Sequence, residues 1–407
     1  MDLYSNIYND ITNYTYNDTK NSTQYSTLNT DLNNFKLTNT DLDITDESNT
    51  ISRTTKICNY SNYINITSSL YISNYDFVYV TSDIHSDYRK LIQILVTIGI
   101  IQIPDDIDIW TDGIYDTRLI TDTVWISKNT LFIIVGDLVD GFRPNLSDND
   151  LINDKIGSFE FLLHAFLYNL RLNAKQFNSD VIFTIGNHDH HSVILNDGLV
   201  IHNISKNAIN FFNNIYTRHV ILVPFYDCNP YYKFSLLNND NSINTIFVHG
   251  GLHSDQGELI RGIDEMQHKL NINKFCISSR KFHNELNNMF SYTSISPLWT
   301  RYYATDIFSC AKIYKDFAGS LIVVGHCNTS EQEYKHIKQI NNDVYKEGCV
   351  AVGCNSCLAF VDAGISSSFH ITSNSDRSVE ILCLIPTKNK TNTILKIEIP
   401  SGLIYYI

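Results

Sequence analysis

No stretch of this chain is apolar for long enough to cross a bilayer. The longest candidate, Leu91 to Ile103, is broken by Gln93, Thr97, Gly99 and Gln102, and it falls short of the ~20 apolar residues that a spanning helix needs. The start shows no charged-then-apolar leader pattern. These absences lead us to expect a soluble, intracellular protein with no membrane partner, cytoplasmic, or in the host cytoplasm if the source is viral. Positive charge is also short, with 30 Lys+Arg against 43 Asp+Glu and a net charge of −13. Such a surface repels a phosphodiester backbone, so no nucleic-acid partner is expected. A second Cys-x-x-Cys is missing: Cys354-Asn355-Ser356-Cys357 stands alone with Cys349 nearby, too few thiolates for a tetrahedral zinc site. The nine cysteines, an odd number, read as reduced thiols buried as small apolar groups. Aliphatic residues in phase are scarce in the first seventy-odd positions, where Asn, Thr, Tyr, Ser and Asp dominate. Residues 1–74 are therefore expected to be a polar, largely disordered tail, with 51–75 able to add an edge strand. Residues 75–407 form the body, long enough to bury a sizeable core.

Within that body, five polar clusters each follow an apolar, β-branched run. Phe77-Val78-Tyr79-Val80 leads to Asp83-Ile84-His85, and Leu131 to Val135 leads to Gly136-Asp137-Leu138-Val139-Asp140. Val181 to Ile185 leads to Gly186-Asn187-His188-Asp189, Ile246 to Val248 to His249-Gly250-Gly251, and Leu321 to Val324 to Gly325-His326. The clusters lie some 50 to 80 residues apart. Continuous apolar runs suit strands buried on both faces. Between them, Tyr88 to Ile100 and Phe159 to Leu172 repeat apolar residues three and four apart, as amphipathic helices do. Strand, loop and helix alternate, and in such sheets ligands gather at the carboxyl ends of the strands.

The residue types specify a chemistry. Two divalent cations ~3.5–4 Å apart share a carboxylate and activate a water or hydroxide for phosphoester cleavage. Asp137 is the natural bridge. Asp83 and His85, two apart on an extended strand end, point the same way toward one metal. Asn187, His249 and His326 offer a carbonyl oxygen and two imidazoles to the other. This mixed set suits two divalent ions of Mn, Fe or Zn better than Mg or Ca. His188 is the candidate acid for the leaving alkoxide, with Asp140 orienting its ring. Arg301, in Ser296-Pro297-Leu298-Trp299-Thr300-Arg301, is the first candidate to bind phosphate and Arg143 the second, the alternative for each being a surface ion pair. His190, His191 and His253 read as loop residues, and His164 as a packed or half-exposed helix residue.

Gly186-Asn187-His188-Asp189 is close to GNHE, Val248-His249-Gly250-Gly251-Leu252 to HGGL and Val324-Gly325-His326 to VGHT. In these the chain resembles the calcineurin-like metallophosphoesterases, in their phosphoprotein-phosphatase branch. Pro297 to Arg301 and Phe360-Val361-Asp362-Ala363-Gly364-Ile365-Ser366 look like stretches of the bacterial, Shewanella-like serine/threonine phosphatases. The resemblance, over residues 75 to 370, implies a four-layer α/β/β/α sandwich of two mixed β-sheets with the metal site at the strand-end loops. It assigns Asp83, His85 and Asp137 to one metal, and Asp137, Asn187, His249 and His326 to the second. It also implies a phosphorylated protein or small phosphate ester as substrate, and leaves the oligomeric state open. Strands near 380–384 and 393–399 are expected to extend the second sheet. There are departures. The family's GDxVDRG is broken here by Gly141 and Phe142, so that Arg143 arrives two positions late, and residues 101–130 look like an insertion. Cys327-Asn328 after His326 lacks the His-x-His ending of the nuclease and nucleotidase branches. The leading expectation is a metal-dependent phosphomonoesterase or protein phosphatase using metal-bound hydroxide. The alternatives are a phosphodiesterase or dinucleotide polyphosphate hydrolase on the same site, and a catalytically silent scaffold.

Overall fold

A computed structural model describes residues 72–110, 118–140, 155–190, 245–252, 296–305, 310–311, 315, 321–328, 348–365, 378–386 and 392–407, all within the compact unit Thr54–Ile407. The expected tail and the edge strand proposed within 51–75 fall outside these up to residue 71; the tail's last residues form one 3-10 turn, Ile72–Asn74. In chain order the elements are β1 (Phe77–Thr81), α1 (Tyr88–Thr97), β2 (Ile101–Gln102), α2 (Arg118–Thr121), β3 (Val124–Trp125), β4 (Thr130–Ile134), α3 (Lys155–Lys175), β5 (Asp180–Phe183), β6 (Thr245–Val248), α4 (Tyr302–Thr305), β7 (Leu321–Val324), β8 (Ala351–Gly353), β9 (Leu358–Phe360), β10 (Val379–Pro386), β11 (Asn392–Ile399) and β12 (Ile404–Tyr406).

The five apolar runs become β1, β4, β5, β6 and β7, in which every residue but Phe77 is buried. One sheet has the order β12-β11-β10-β1-β4-β5 and a second has β6-β7-β9-β8. β1, β4 and β5 run parallel, as do β6, β7 and β9, so the chain leaves each parallel set at one end. The sheets pack face to face: Val78, Val80, Leu131, Ile133, Ile182, Leu382 and Leu384 of the first meet Phe247, Leu321, Val323, Val352 and Ala359 of the second in one buried cluster. Each such side chain contributes ~1.5–3 kcal/mol by leaving water.

Two helices cover the first sheet. α1 opens on Asp87, whose side chain accepts from the Lys90 backbone N–H, buries Leu91, Ile92, Ile94 and Leu95, and packs toward β11. Past its end Gly99 takes a φ of +72°, the left-handed turn glycine adopts without steric cost. α3 packs on β5 and receives α2 and β3 from the 101–130 segment, where Trp125 is fully buried. His164 on α3 is buried, not half-exposed. No described helix is long and apolar enough to cross a membrane.

Two expectations are corrected. β10 and β11 join the first sheet, not the second: β10 pairs antiparallel with β1, setting Val78 opposite Leu384. Alternation marks a strand but not the sheet edge it fills. Cys310 and Cys354 form a disulfide with Cα atoms 4.9 Å apart, so not all the cysteines are free thiols. Spacing could not reveal a pair brought together by the fold across 44 positions. Cys327, Cys357 and Cys383 are buried free thiols and Cys349 is half-buried.

Candidate metal centre

The polar clusters follow β1, β4, β5, β6 and β7, and main-chain bonds continue the pairing beyond the strands into the loops. Asp83 N–H donates to Gly136 O (3.0 Å), His85 N–H to Asp137 O (2.9 Å), Ser86 N–H to Leu138 O (2.7 Å) and Gly325 N–H to His249 O (2.9 Å). Side chains add to this lacing. His85 Nδ1 lies 2.9 Å from Val139 O and His249 Nδ1 2.9 Å from Val135 O. Carbonyls only accept, so each Nδ1 carries a proton, and each Nε2 is the ring nitrogen turned toward the carboxylates. The Asp83 carboxylate accepts from His326 N–H at 3.0 Å, tying the loops after β1 and β7.

Asp137 stands at the centre, 1% exposed. Its Oδ2 lies 3.2 Å from His249 Nε2, 3.7 Å from His85 Nε2 and 4.0 Å from His188 Nε2. Its Oδ1 turns aside to accept from His188 N–H at 2.9 Å. Asp83 Oδ1 is 3.8 Å from His85 Nε2, and Asn187 Oδ1 is 2.8 Å from His249 Nε2. The donor atoms fall into two overlapping groups, His85 with Asp137 and His188, and Asp137 with His249 and His326, the atoms of each within 4.8 Å of one another. Asp137 belongs to both.

The loops approach so closely that side chains are excluded at several points, two of them against the carboxylates. A Cβ on Gly186 would lie 2.1 Å from Asp137 Oδ1, and one on Gly325 2.6 Å from Asp83 Oδ2. Asp83, His85, Asp137, Asp140 and His326 all have positive φ, a conformation that Asp, Asn and His tolerate better than most residues.

Crowded charge perturbs the site. Burial pushes the Asp83 carboxyl up to about 6, with His249 pulling the other way and Asp137 adding to the rise. Burial acts likewise on Asp137, but the facing imidazoles, His249 first and then His188, hold it well below the usual carboxylate range. His249 is raised to about 10: burial opposes its charge, and the Asp137 and Asp83 carboxylates outweigh burial. His326 is held well below the usual histidine range by burial first, then by the charges of Arg301 and His249.

Divalent cations fit these residues. His326 Nε2 is buried with no hydrogen-bond partner, a costly state for a polar atom in a packed interior. A cation would satisfy it, would relieve the crowding of Asp83 on Asp137, and would match a mixed imidazole, carboxylate and amide set.

On the rim, His188 Nδ1 lies 2.9 Å from Asp140 Oδ2, and its ring stands edge-on to His85 with centroids 4.9 Å apart. Arg301 is half-buried. Its segment is held to the loop after β6, where Gly250 N–H and Gly251 N–H donate to Pro297 O at 2.7 and 3.2 Å. Trp299 stacks edge-on against His326 at 6.2 Å. Arg143, His191 and His253 lie outside the described residues, while His190 is fully buried. Asp189 was not singled out from the sequence as a site residue, yet it is fully buried beside the centre, and its place after His188 in the tetrapeptide was the available signal.

The chain matches the calcineurin-like phosphoesterase family over residues 78–340. Among solved structures it is similar in fold to a cold-active protein tyrosine phosphatase, with TM-score 0.51 and 18% identity over 82% of this chain and 78% of that one. It is similar too to the cold-active protein-tyrosine phosphatase of a psychrophilic Shewanella species, with TM-score 0.50 and 19% identity over 82% of this chain and 80% of that one. A comparison with curated proteins finds no match. The motifs, the two packed mixed sheets and the family match agree: the chain belongs to the calcineurin-like phosphoesterases, metal-dependent hydrolases of phosphoric esters.

Proposed function

We propose that the protein is a phosphomonoesterase, a phosphatase of phosphoprotein or of a small phosphate ester, working with two divalent cations of Mn, Fe or Zn. The observation that carries this reading is the single carboxylate oxygen, Asp137 Oδ2, faced by three imidazole Nε2 atoms at 3.2, 3.7 and 4.0 Å. Asp83, His85 and Asp137 would hold one cation, and Asp137, Asn187, His249 and His326 the other. When bound, such ions stabilise charge on the phosphoryl oxygens and lower the pKa of water. We assign the catalytic domain to residues 75–407 and a tail to residues 1–74.

The chain's own residues supply the rest. His188 Nδ1–H donates to Asp140, which fixes the orientation of the ring. Its Nε2 faces the site and gives its proton to the ester oxygen as the P–O bond breaks. Arg301 presents a planar fork to the phosphoryl oxygens. Its charge adds to burial in lowering His326.

The test is hydrolysis of p-nitrophenyl phosphate beside its bis ester by Mn-loaded protein, with metal analysis of the same sample. We expect preference for the monoester and two equivalents of metal. Preference for the diester would move the assignment to phosphodiesterase, and protein that takes up no metal would overturn the reading altogether.

A further inference from the structure

One buried group beside the centre has no part in the mechanism above. Asp189 is fully buried, and its carboxylate gathers three backbone N–H groups from two loops. Oδ2 accepts from Asp137 N–H at 2.8 Å and from Gly186 N–H at 2.8 Å. Oδ1 accepts from Leu138 N–H at 2.9 Å. Asp137 answers by accepting from His188 N–H at 2.9 Å. The two carboxylates thus clasp each other's loops, each holding main-chain donors beside the other.

That clasp constrains three things. Asp137 sits at φ +54°, a strained backbone for a non-glycine residue, and bonds to its own N–H and to the next fix it there. Gly186 sits where any Cβ would strike Asp137, and the bond to its N–H sets the separation of the loops. Asn187 and His188 lie between Gly186 and Asp189, so their side chains are aimed from a segment pinned at both ends.

We infer that Asp189 is a positioning residue for the metal centre: its carboxylate fixes the backbone of Asp137, Leu138 and Gly186, and through Asp137 sets the affinity for the cations. It touches neither cation nor substrate. Its carboxylate has to accept from all three donors, which an amide cannot do, because one of its two polar atoms is itself a donor. Partners that orient metal ligands typically change metal affinity by ~10–100-fold. The inference rests on Asp137 being the ligand shared by the cations.

The test is Mn²⁺ titration by calorimetry of the full-length protein, its Asp189→Asn and Asp189→Glu variants, and Asp180→Asn as a control. Asp180 is another buried carboxylate, bonded to Arg171 at 3.0 Å and to Lys175 at 2.5 Å at the opposite end of β5. Asp189→Asn is expected to weaken Mn²⁺ binding by at least about tenfold, and Asp189→Glu, which restores two acceptor oxygens, to recover part of it. Asp180→Asn is expected to lower the melting temperature and leave Mn²⁺ affinity as it was. Unchanged affinity in Asp189→Asn, or an equal loss in Asp180→Asn, would overturn the inference. Hydrogen exchange on the unaltered protein gives a measurement that needs no variant to fold. With Zn²⁺ and without it, the amides of Asp137, Leu138 and Gly186 should be as protected as those of β4. Exchange at solvent rates in the metal-free protein would sink the proposal. Unaltered protein that binds no Mn²⁺ would instead refute the shared-ligand reading, so the two failures are distinguishable.

Discussion

Replacing Gly186 by alanine tests the closeness of the loops on which the site depends. The new methyl would lie 2.1 Å from Asp137 Oδ1, 2.4 Å from Asp137 N and 2.8 Å from Asp137 Cγ, where ordinary contact begins at 3.4 Å. Nothing flexible is there to yield, since Asp137 is buried and held by the bond from His188 N–H. The loops after β4 and β5 must therefore part by roughly an ångström. Overpacking of this kind costs ~1–3 kcal/mol, a fall of a few degrees in Tm for a unit of this size. Misplacing a reacting constellation by ~1 Å costs on the order of 10²-fold in rate. Gly99→Ala is the matched control. Gly99 has φ +72° but nothing within 4 Å of its missing Cβ, so alanine there meets backbone strain alone, ~1 kcal/mol. The assay is a thermal melt paired with kcat on p-nitrophenyl phosphate. Both variants should melt a few degrees low, and Gly186→Ala alone should lose about two orders of magnitude in kcat. Near-parental turnover in folded Gly186→Ala would refute the reasoning.

Asp137→Asn keeps the shape of the side chain and removes the charge shared between the two donor groups; we expect turnover to vanish within detection and bound metal to fall, measured by colorimetric assay and elemental analysis, with the fold retained by circular dichroism. His188→Ala should lower kcat by ~10²–10⁴-fold with metal content preserved. The loss should be larger for an alkyl phosphate than for p-nitrophenyl phosphate, whose leaving group needs no proton; equal losses would remove His188 from proton transfer. Trp125→Ala deletes the largest fully buried side chain, and should cost ~3–5 kcal/mol in chemical denaturation while KM stays within twofold, because Trp125 packs in the 101–130 segment rather than at the centre.

The strands that carry the site were legible because each pairs a fully apolar run with a cluster of rare polar types. Burial on both faces forces the first, and the proposed cation chemistry accounts for the second. Where either half was lacking, the sequence misled. β10 and β11 declared themselves as strands, but their place beside β1 depends on which edge the parallel set β1, β4 and β5 leaves open. Cys310 and Cys354 meet by tertiary approach, which no spacing encodes. Asp189 looked like the end of a motif because its partners are main-chain groups, including Asp137 and Leu138 some fifty positions earlier. They become neighbours only once β4 and β5 pair in parallel, with Ile134 opposite Phe183.

The proposed site also carries aspartate and histidine in backbone conformations most residues avoid. Asp83, His85, Asp137, Asp140 and His326 all sit at φ between 43° and 62°, a strain of order 1 kcal/mol each. Glycine would relieve it and would abolish the donor. A β-branched residue would make it worse. Aspartate and histidine are among the few side chains that both tolerate the left-handed region and offer a lone pair to a cation. Chemistry and conformation therefore select the same letters, and the bonds between loops, such as Asp83 N–H to Gly136 O and His85 N–H to Asp137 O, hold those conformations in place. Those bonds are made within the chain and engage the Asp137 loop that Gly186→Ala would displace, so its loss should appear in kcat and metal affinity rather than in KM.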